Sequence, residues 1–182
     1  MYEVDGRDQV IPLPEVPRCD VGAPLPVVLA DEYRVLLGYL LSADDPEWDG
    51  TSIRIVDHES PGAGVIIEFR DVVSSYFGAP NDEAFQGHPL AERGLRPYSA
   101  AKIENSSWIH RLERMNSVHP YHRPDAFWAR SHYVFTFHDS TFECVADKLA
   151  VHPVPGPMSA IAAEIYRRLF RAAQPPDAQS GH

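Results

Sequence analysis

Cysteine is nearly absent: the 182-residue chain has two, Cys19 and Cys144. Two thiols cannot build a disulfide framework, and their spacing matches no metal-binding pattern. Long apolar runs are also missing. The longest, Val35 to Leu41, is interrupted by Gly38 and falls far short of the roughly 20 residues a membrane helix needs. The opening residues MYEVDGRDQV hold no basic stretch leading into an apolar one, so no secretory signal is expected. A cytoplasmic location and no membrane are the resulting expectations, and that compartment argues against a Cys19–Cys144 bridge.

Positive charge is the next deficit. Sixteen Lys and Arg face 26 Asp and Glu, a formal net charge of -10. Such a surface repels phosphate backbones, so nucleic acid is not expected as a partner. Arg167, Arg168 and Arg171 cluster, but they suit the C-terminal end of a helix, where cations offset the macrodipole. Catalytic signatures are lacking as well. The chain has no Gly-x-Gly-x-x-Gly, phosphate loop, Gly-x-Ser-x-Gly elbow or His-Glu-x-x-His, so nucleotide binding and serine hydrolysis have no motif support.

The residues that are present describe one domain with a proper core. Residues 1–26 carry five prolines (12, 14, 17, 24 and 26) without a period and read as an extended arm. Residues 27–173 form the domain, and 174–182 (QPPDAQSGH) read as a disordered tail. Glu32 to Leu41 has the aliphatic and aromatic content of a central strand. Thr51 to His58 alternates, and so does Val65 to Phe69 after a Pro-Gly-Ala-Gly turn. Short turns between these three predict an antiparallel meander. Tyr98 to Ile103 is a further candidate strand. Asn105 or Ser106 can cap a helix whose stripe is Trp108, Ile109, Leu112 and Met115. Pro124 to Arg130 suits a short second helix. Met158, Ile161, Ala162, Ile165 and Leu169 predict an amphipathic helix lying on the sheet. The expected fold is α+β: a curved or partly closed antiparallel sheet of five to seven strands with two or three helices, the C-terminal one included.

Chemistry concentrates in two places. Ser74 to Pro97 has glycines and prolines but no sustained period, and loops of that length are often functional. The segment HYVFTFHDSTFECVADKL, His132 to Leu149, alternates as a hairpin. Its Tyr133, Phe135, Phe137, Phe142 and Cys144 share one face, which predicts core and makes Cys144 a small buried hydrophobe. A turn at Asp139 and Ser140 would pair His132 with Asp147, Thr136 with Glu143 and His138 with Thr141 on the other face. That column is either a solvated sheet face or the floor of an acid–base site. In the second reading His138 transfers protons, Glu143 or Asp139 orients it, and His132 helps bind the substrate. His88 closes the site from the loop, and Arg93 or Arg96 holds an anionic group of a small molecule. HPYH, His119 to His122, has a spacing that Pro120 bars from ordinary helix; a divalent metal, if present, would draw on His88, His119, His122 and His138.

The segments GHPLAERGLRPY, ENSSWIHRLERMNSVHPYH and HYVFTFHDSTFECVA together resemble a group of uncharacterised bacterial proteins over Pro24 to Ala150. The resemblance implies a bacterial, cytoplasmic protein and transfers no role to any residue. Two functions are therefore carried forward. One is a small-molecule or His/carboxylate site between the 74–97 loop and the 132–147 hairpin. The other is a non-catalytic module, immunity-type or regulatory, that binds a protein partner; acidic charge, small size and a proline-rich arm suit it.

Overall fold

A computed structural model describes residues 3–42 and 56–170. The elements run β1 (Gln9–Pro12), β2 (Val27–Ala30), β3 (Arg34–Leu40), β4 (Ala63–Arg70), β5 (Ser74–Gly78), β6 (Ala100–Glu104), α1 (Ser107–Asn116), α2 (Asp125–Trp128), β7 (Ser131–Thr136), β8 (Thr141–Ala146), β9 (Lys148–Pro155) and α3 (Met158–Phe170). The class is α+β, with all strand pairs antiparallel and a helix at the C-terminal side. The strands divide between two sheets, β1-β6-β7-β8-β5 and β2-β3-β4-β9.

The two sheets face each other across an aromatic core. Strands β3 and β4 contribute Val35, Leu37, Tyr39, Val65, Ile67 and Phe69; the hairpin contributes Tyr133, Phe135, Phe137, Phe142 and Cys144. Phe69 stands 5.4–5.8 Å, centroid to centroid, from the rings of Tyr133, Phe135 and Phe142. Alternation explains this face: every second residue of each strand points inward. The chain changes sheet twice at one corner, through Asp71 to Val73 after β4 and through the single residue Asp147 between β8 and β9.

Each outer sheet face is covered by a different device. Helix α3 lies on the smaller sheet, packing Met158, Ile161, Ile165 and Leu169 onto Leu36, Leu40 and Ile66. Burial of side chains this size stabilises by about 1.5–3 kcal/mol each. The helix approaches so closely because β3 and β4 present glycine beneath it. A Cβ at Gly64 would sit 2.2 Å from Ile161 Cδ1, and one at Gly38 would sit 2.6 Å from Ile165 Cδ1. The larger sheet is covered by the long loop and by α1 and α2. Two short 3-10 turns, Phe85–Gly87 and Ala91–Arg93, lay Phe85, Leu90, Ala91 and Leu95 on Ala101, Ile103 and Val134. Ile109 and Phe127 cover Val145.

Two expectations need revision in detail. The meander does not form, because β3 pairs directly with β4 from Arg34↔Arg70 to Leu40↔Gly64. Of its middle segment, Thr51 to Ile55 lie outside the described residues, and Val56 to His58 are not a strand. The hairpin register also differs: Thr136 opposes Thr141 and Val134 opposes Glu143, with Phe137 N–H bonded to the Ser140 carbonyl at 2.8 Å. The turn therefore centres on His138 and Asp139, two residues of pairing away from the expected one. Period two preserves the faces under such a shift, so the aromatic face survives intact. The arm, which the sequence leaves open as wrapped or loose, is wrapped on the domain: β1 pairs with β6, and Cys19 forms a backbone bridge with Leu41. The 174–182 tail lies outside the described residues.

Candidate functional site

The polar face of the hairpin is not solvated. His132, Thr136, Thr141 and Glu143 are all buried beneath the loop and α1. His132 Nε2 stands 2.8 Å from Glu143 Oε2, and its Nδ1 stands 2.9 Å from Ser106 Oγ. Ser106 also caps α1, accepting the Ile109 N–H at 3.3 Å. One proton arrangement satisfies this chain: the Ser106 hydroxyl donates to Nδ1, and Nε2–H donates to the carboxylate. From the loop, His88 brings Nε2 to 3.5 Å from Glu143 Oε1, while its Nδ1 accepts the Leu90 N–H at 3.1 Å. The Trp108 ring meets the His132 ring edge-on at 5.0 Å. His88, His132 and Glu143 thus do come together, but sealed from solvent.

His138 belongs to a separate group at the hairpin tip. Its Nδ1 lies 3.0 Å from Asp82 Oδ2, on the long loop, and 3.0 Å from the Tyr98 hydroxyl. The Tyr98 O–H donates to the same Asp82 oxygen. The loop is hooked onto the tip by the backbone as well, Asp82 N–H donating to the His138 carbonyl at 2.9 Å. Tyr98 adopts φ 54°, a left-handed conformation costly for an aromatic residue, and these bonds hold it there. The Tyr98 hydroxyl holds the Asp82 carboxyl below its ordinary range, with His138 adding to the effect. Burial, then the Asp82 carboxylate, push Tyr98 up to about 12. With Nδ1–H committed to Asp82, a neutral His138 keeps its Nε2 lone pair free. The side chain is 43% exposed, so that lone pair can reach a ligand.

Tyr98 is also one wall of a cleft of about 680 Å³ at the open end of the sandwich. The arm forms the opposite wall from Pro12 to Val21, and Tyr39, Phe135 and Phe137 form the base. That arm is fastened in place: Leu13 N–H donates to the Ala100 carbonyl at 3.0 Å, and the Tyr39 hydroxyl donates to the Pro17 carbonyl at 2.9 Å.

The remaining candidates scatter. Neither Glu143 nor Asp139 orients His138; Glu143 sits inside the covered sheet face, and Asp139 is exposed at the turn. Arg96 lines the cleft, whereas Arg93 is exposed on the second 3-10 turn and does not. The four histidines considered as metal ligands have four different settings. His88 is beside Glu143, His122 is bonded to Glu113 at 2.7 Å, His138 is bonded to Asp82, and His119 accepts the Tyr121 N–H. Among the described residues no three His, Cys, Asp or Glu side chains are grouped to hold a metal. Both cysteines are free and buried, and burial pushes the Cys144 thiol well up. Asp82 and Tyr98 carry no role in the sequence reading. The signal for Asp82 is its place in the long aperiodic loop, whereas Tyr98 falls at the start of a candidate strand and carries no other signal.

Family models, curated proteins and solved structures offer no match to this chain. Among the described residues no helix is long and apolar enough to cross a membrane.

Proposed function

We propose that this chain binds a small molecule in the cleft between its N-terminal arm and the sandwich, with His138 and Asp82 as an acid–base pair at the rim. The observation carrying the reading is the shared role of Tyr98, which lines the cleft and bonds both members of the pair. A carboxylate that fixes the imidazole tautomer and leaves Nε2 open is the arrangement a general base requires. The cleft volume falls in the range of small-molecule sites, and its walls are mostly apolar with a few polar groups, as such sites are. The sealed His132–Glu143 pair serves the fold, and its place under the loop positions Asp82.

The test is a thermal-shift screen of wild-type protein against a panel of organic acids, amines and nucleosides, repeated with His138→Ala and Asp82→Asn. Stabilisation by a panel member that weakens in both variants, with the fold retained, supports the reading. Stabilisation untouched by either variant, or a His138→Ala protein that unfolds, overturns the role of His138.

A second reading, a protein-binding module, draws on one surface. Met115, Val118 and Tyr121 at the end of α1, and Trp128 on α2, are 67%, 88%, 84% and 44% exposed. Clustered exposed apolar side chains mark interaction sites. Co-purification from the native host, lost on Val118→Asp with Tyr121→Asp, would favour this module over the cleft.

A further inference from the structure

The cleft has a charge pattern at odds with the rest of the molecule. The chain as a whole carries 26 acids against 16 bases, yet the described lining residues include Arg18 and Arg96 and no Asp or Glu. Both arginines are exposed side chains, Arg18 on the arm and Arg96 at the end of the long loop. Among the described residues neither has an acidic partner, whereas Arg7, Arg34, Arg70, Arg167 and Arg168 all hold one. The backbone beneath Arg96 is fixed, its carbonyl accepting from Thr136 Oγ1 at 2.8 Å and from Ser99 Oγ at 2.6 Å. The position of the guanidinium therefore has a rigid base although its side chain is solvated.

Below the arginines the walls turn apolar. Leu13, Val16 and Val21 come from the arm, and Phe135 and Phe137 from β7 and its turn. The floor is the end of the aromatic core itself, since Val16, Tyr39, Phe135 and Phe137 belong to the same packed cluster. A cleft that is apolar within and cationic at its mouth matches a molecule with an apolar body and an anionic head. A fully apolar ligand would leave the two guanidiniums unused, and a cation would be repelled by them.

On the strength of the cleft reading above, we propose that the ligand is an amphiphilic organic anion: an aliphatic or aromatic body seated between the arm and Phe135 and Phe137, with a carboxylate or phosphate held by Arg18 and Arg96. Guanidinium forks recognise both head groups, through charge-assisted hydrogen bonds.

Isothermal titration with decanoate, decyl phosphate and decanol tests this on the full chain. The expected result is roughly tenfold tighter binding of one or both anions than of decanol, as two charge-assisted contacts would give. In Arg18→Ala with Arg96→Ala that preference should vanish while decanol binding stays unchanged. Which anion binds more tightly separates a carboxylate head from a phosphate head. Equal binding of all three, or a preference that survives the double variant, overturns the anion assignment and leaves the cleft. No binding of any of the three at millimolar concentration overturns the amphiphile assignment, and the wider panel above then decides the cleft itself. Both arginines are exposed, so the double variant is expected to fold; circular dichroism matching wild type is the control.

Discussion

Two of the molecule's imidazole–carboxylate pairs, both built on the β7–β8 hairpin, stand in opposite settings. His132 and Glu143 meet at 2.8 Å with both side chains at 0–1% exposure. His138 and Asp82 meet at 3.0 Å with His138 at 43%. The inner pair has all its geometry spent: Ser106, Glu143 and Trp108 surround the ring, and no nitrogen faces outward. The outer pair spends one nitrogen and keeps the other. A buried pair of this kind secures a fold, while a half-open one can exchange protons with something that arrives. Burial, more than residue identity, separates the two settings.

The comparison can be broken at four points. The largest effect is expected from Glu143→Ala, which strips the partner from His132 and His88 in a sealed space. Leaving buried polar groups without partners and opening a cavity should cost about 3–5 kcal/mol, read as a lower urea midpoint. A loss under about 1 kcal/mol would mean that the inner pair does not secure the fold. Ser106→Ala comes next. It removes both the α1 cap and the bond to His132, and about 1–2 kcal/mol should be lost in the same assay.

His138→Ala should barely touch stability, lowering Tm by less than about 2 °C, while weakening whatever ligand the cleft takes. Should it instead destabilise as much as Glu143→Ala, the contrast between the pairs collapses. The smallest effect concerns pH. Asp82 has a folded-state pKa lowered first by the Tyr98 hydroxyl. A lowered carboxyl stabilises fully above its unfolded pKa, and the contribution disappears as pH falls through the folded one. Wild type should therefore lose stability relative to Asp82→Asn as the solution is acidified through the carboxylate range. Tyr98→Phe should shrink that difference; an unchanged acid limb in both variants would show that the triangle does not couple.

Much of the scaffold was legible because period and punctuation are local. The stripe Met158, Ile161, Ile165 and Leu169 predicted α3, and the alternating aromatics of 133–142 predicted the inner face. Residue type and position marked Asn105 or Ser106 as the cap of α1, and Ser106 is the one that accepts the Ile109 N–H. What escaped was long-range partnership. Asp82 and His138 are 56 residues apart, and nothing periodic links them. The register gave the same lesson, since no glycine fixes the turn and a two-residue shift leaves every face unchanged. That shift moved His138 out of the ladder, where Thr141 was its expected partner, and into the turn, while Glu143 stayed on the polar face. The covered state of that face was also hidden, because residues that pack as a lid, such as Phe85, Leu90 and Leu95, sit in a segment without period.

One contact of the arm bears on how the chain is made. Asp8 accepts the Ser107 N–H at 2.8 Å and the Ser107 hydroxyl at 2.7 Å, across 99 residues of sequence. It thereby docks the arm at the start of α1, beside the Ser106 that steadies His132. A ribosome adding about 5–20 residues per second would emit that aspartate roughly 5–20 s before its partner. For that interval β1, the strand beside Asp8, has no β6 to pair with, and the wall of the cleft does not yet exist. Completion of the cleft is thus a late event in synthesis, and a nascent chain stalled before Ala100 would present an unpaired arm to proteases.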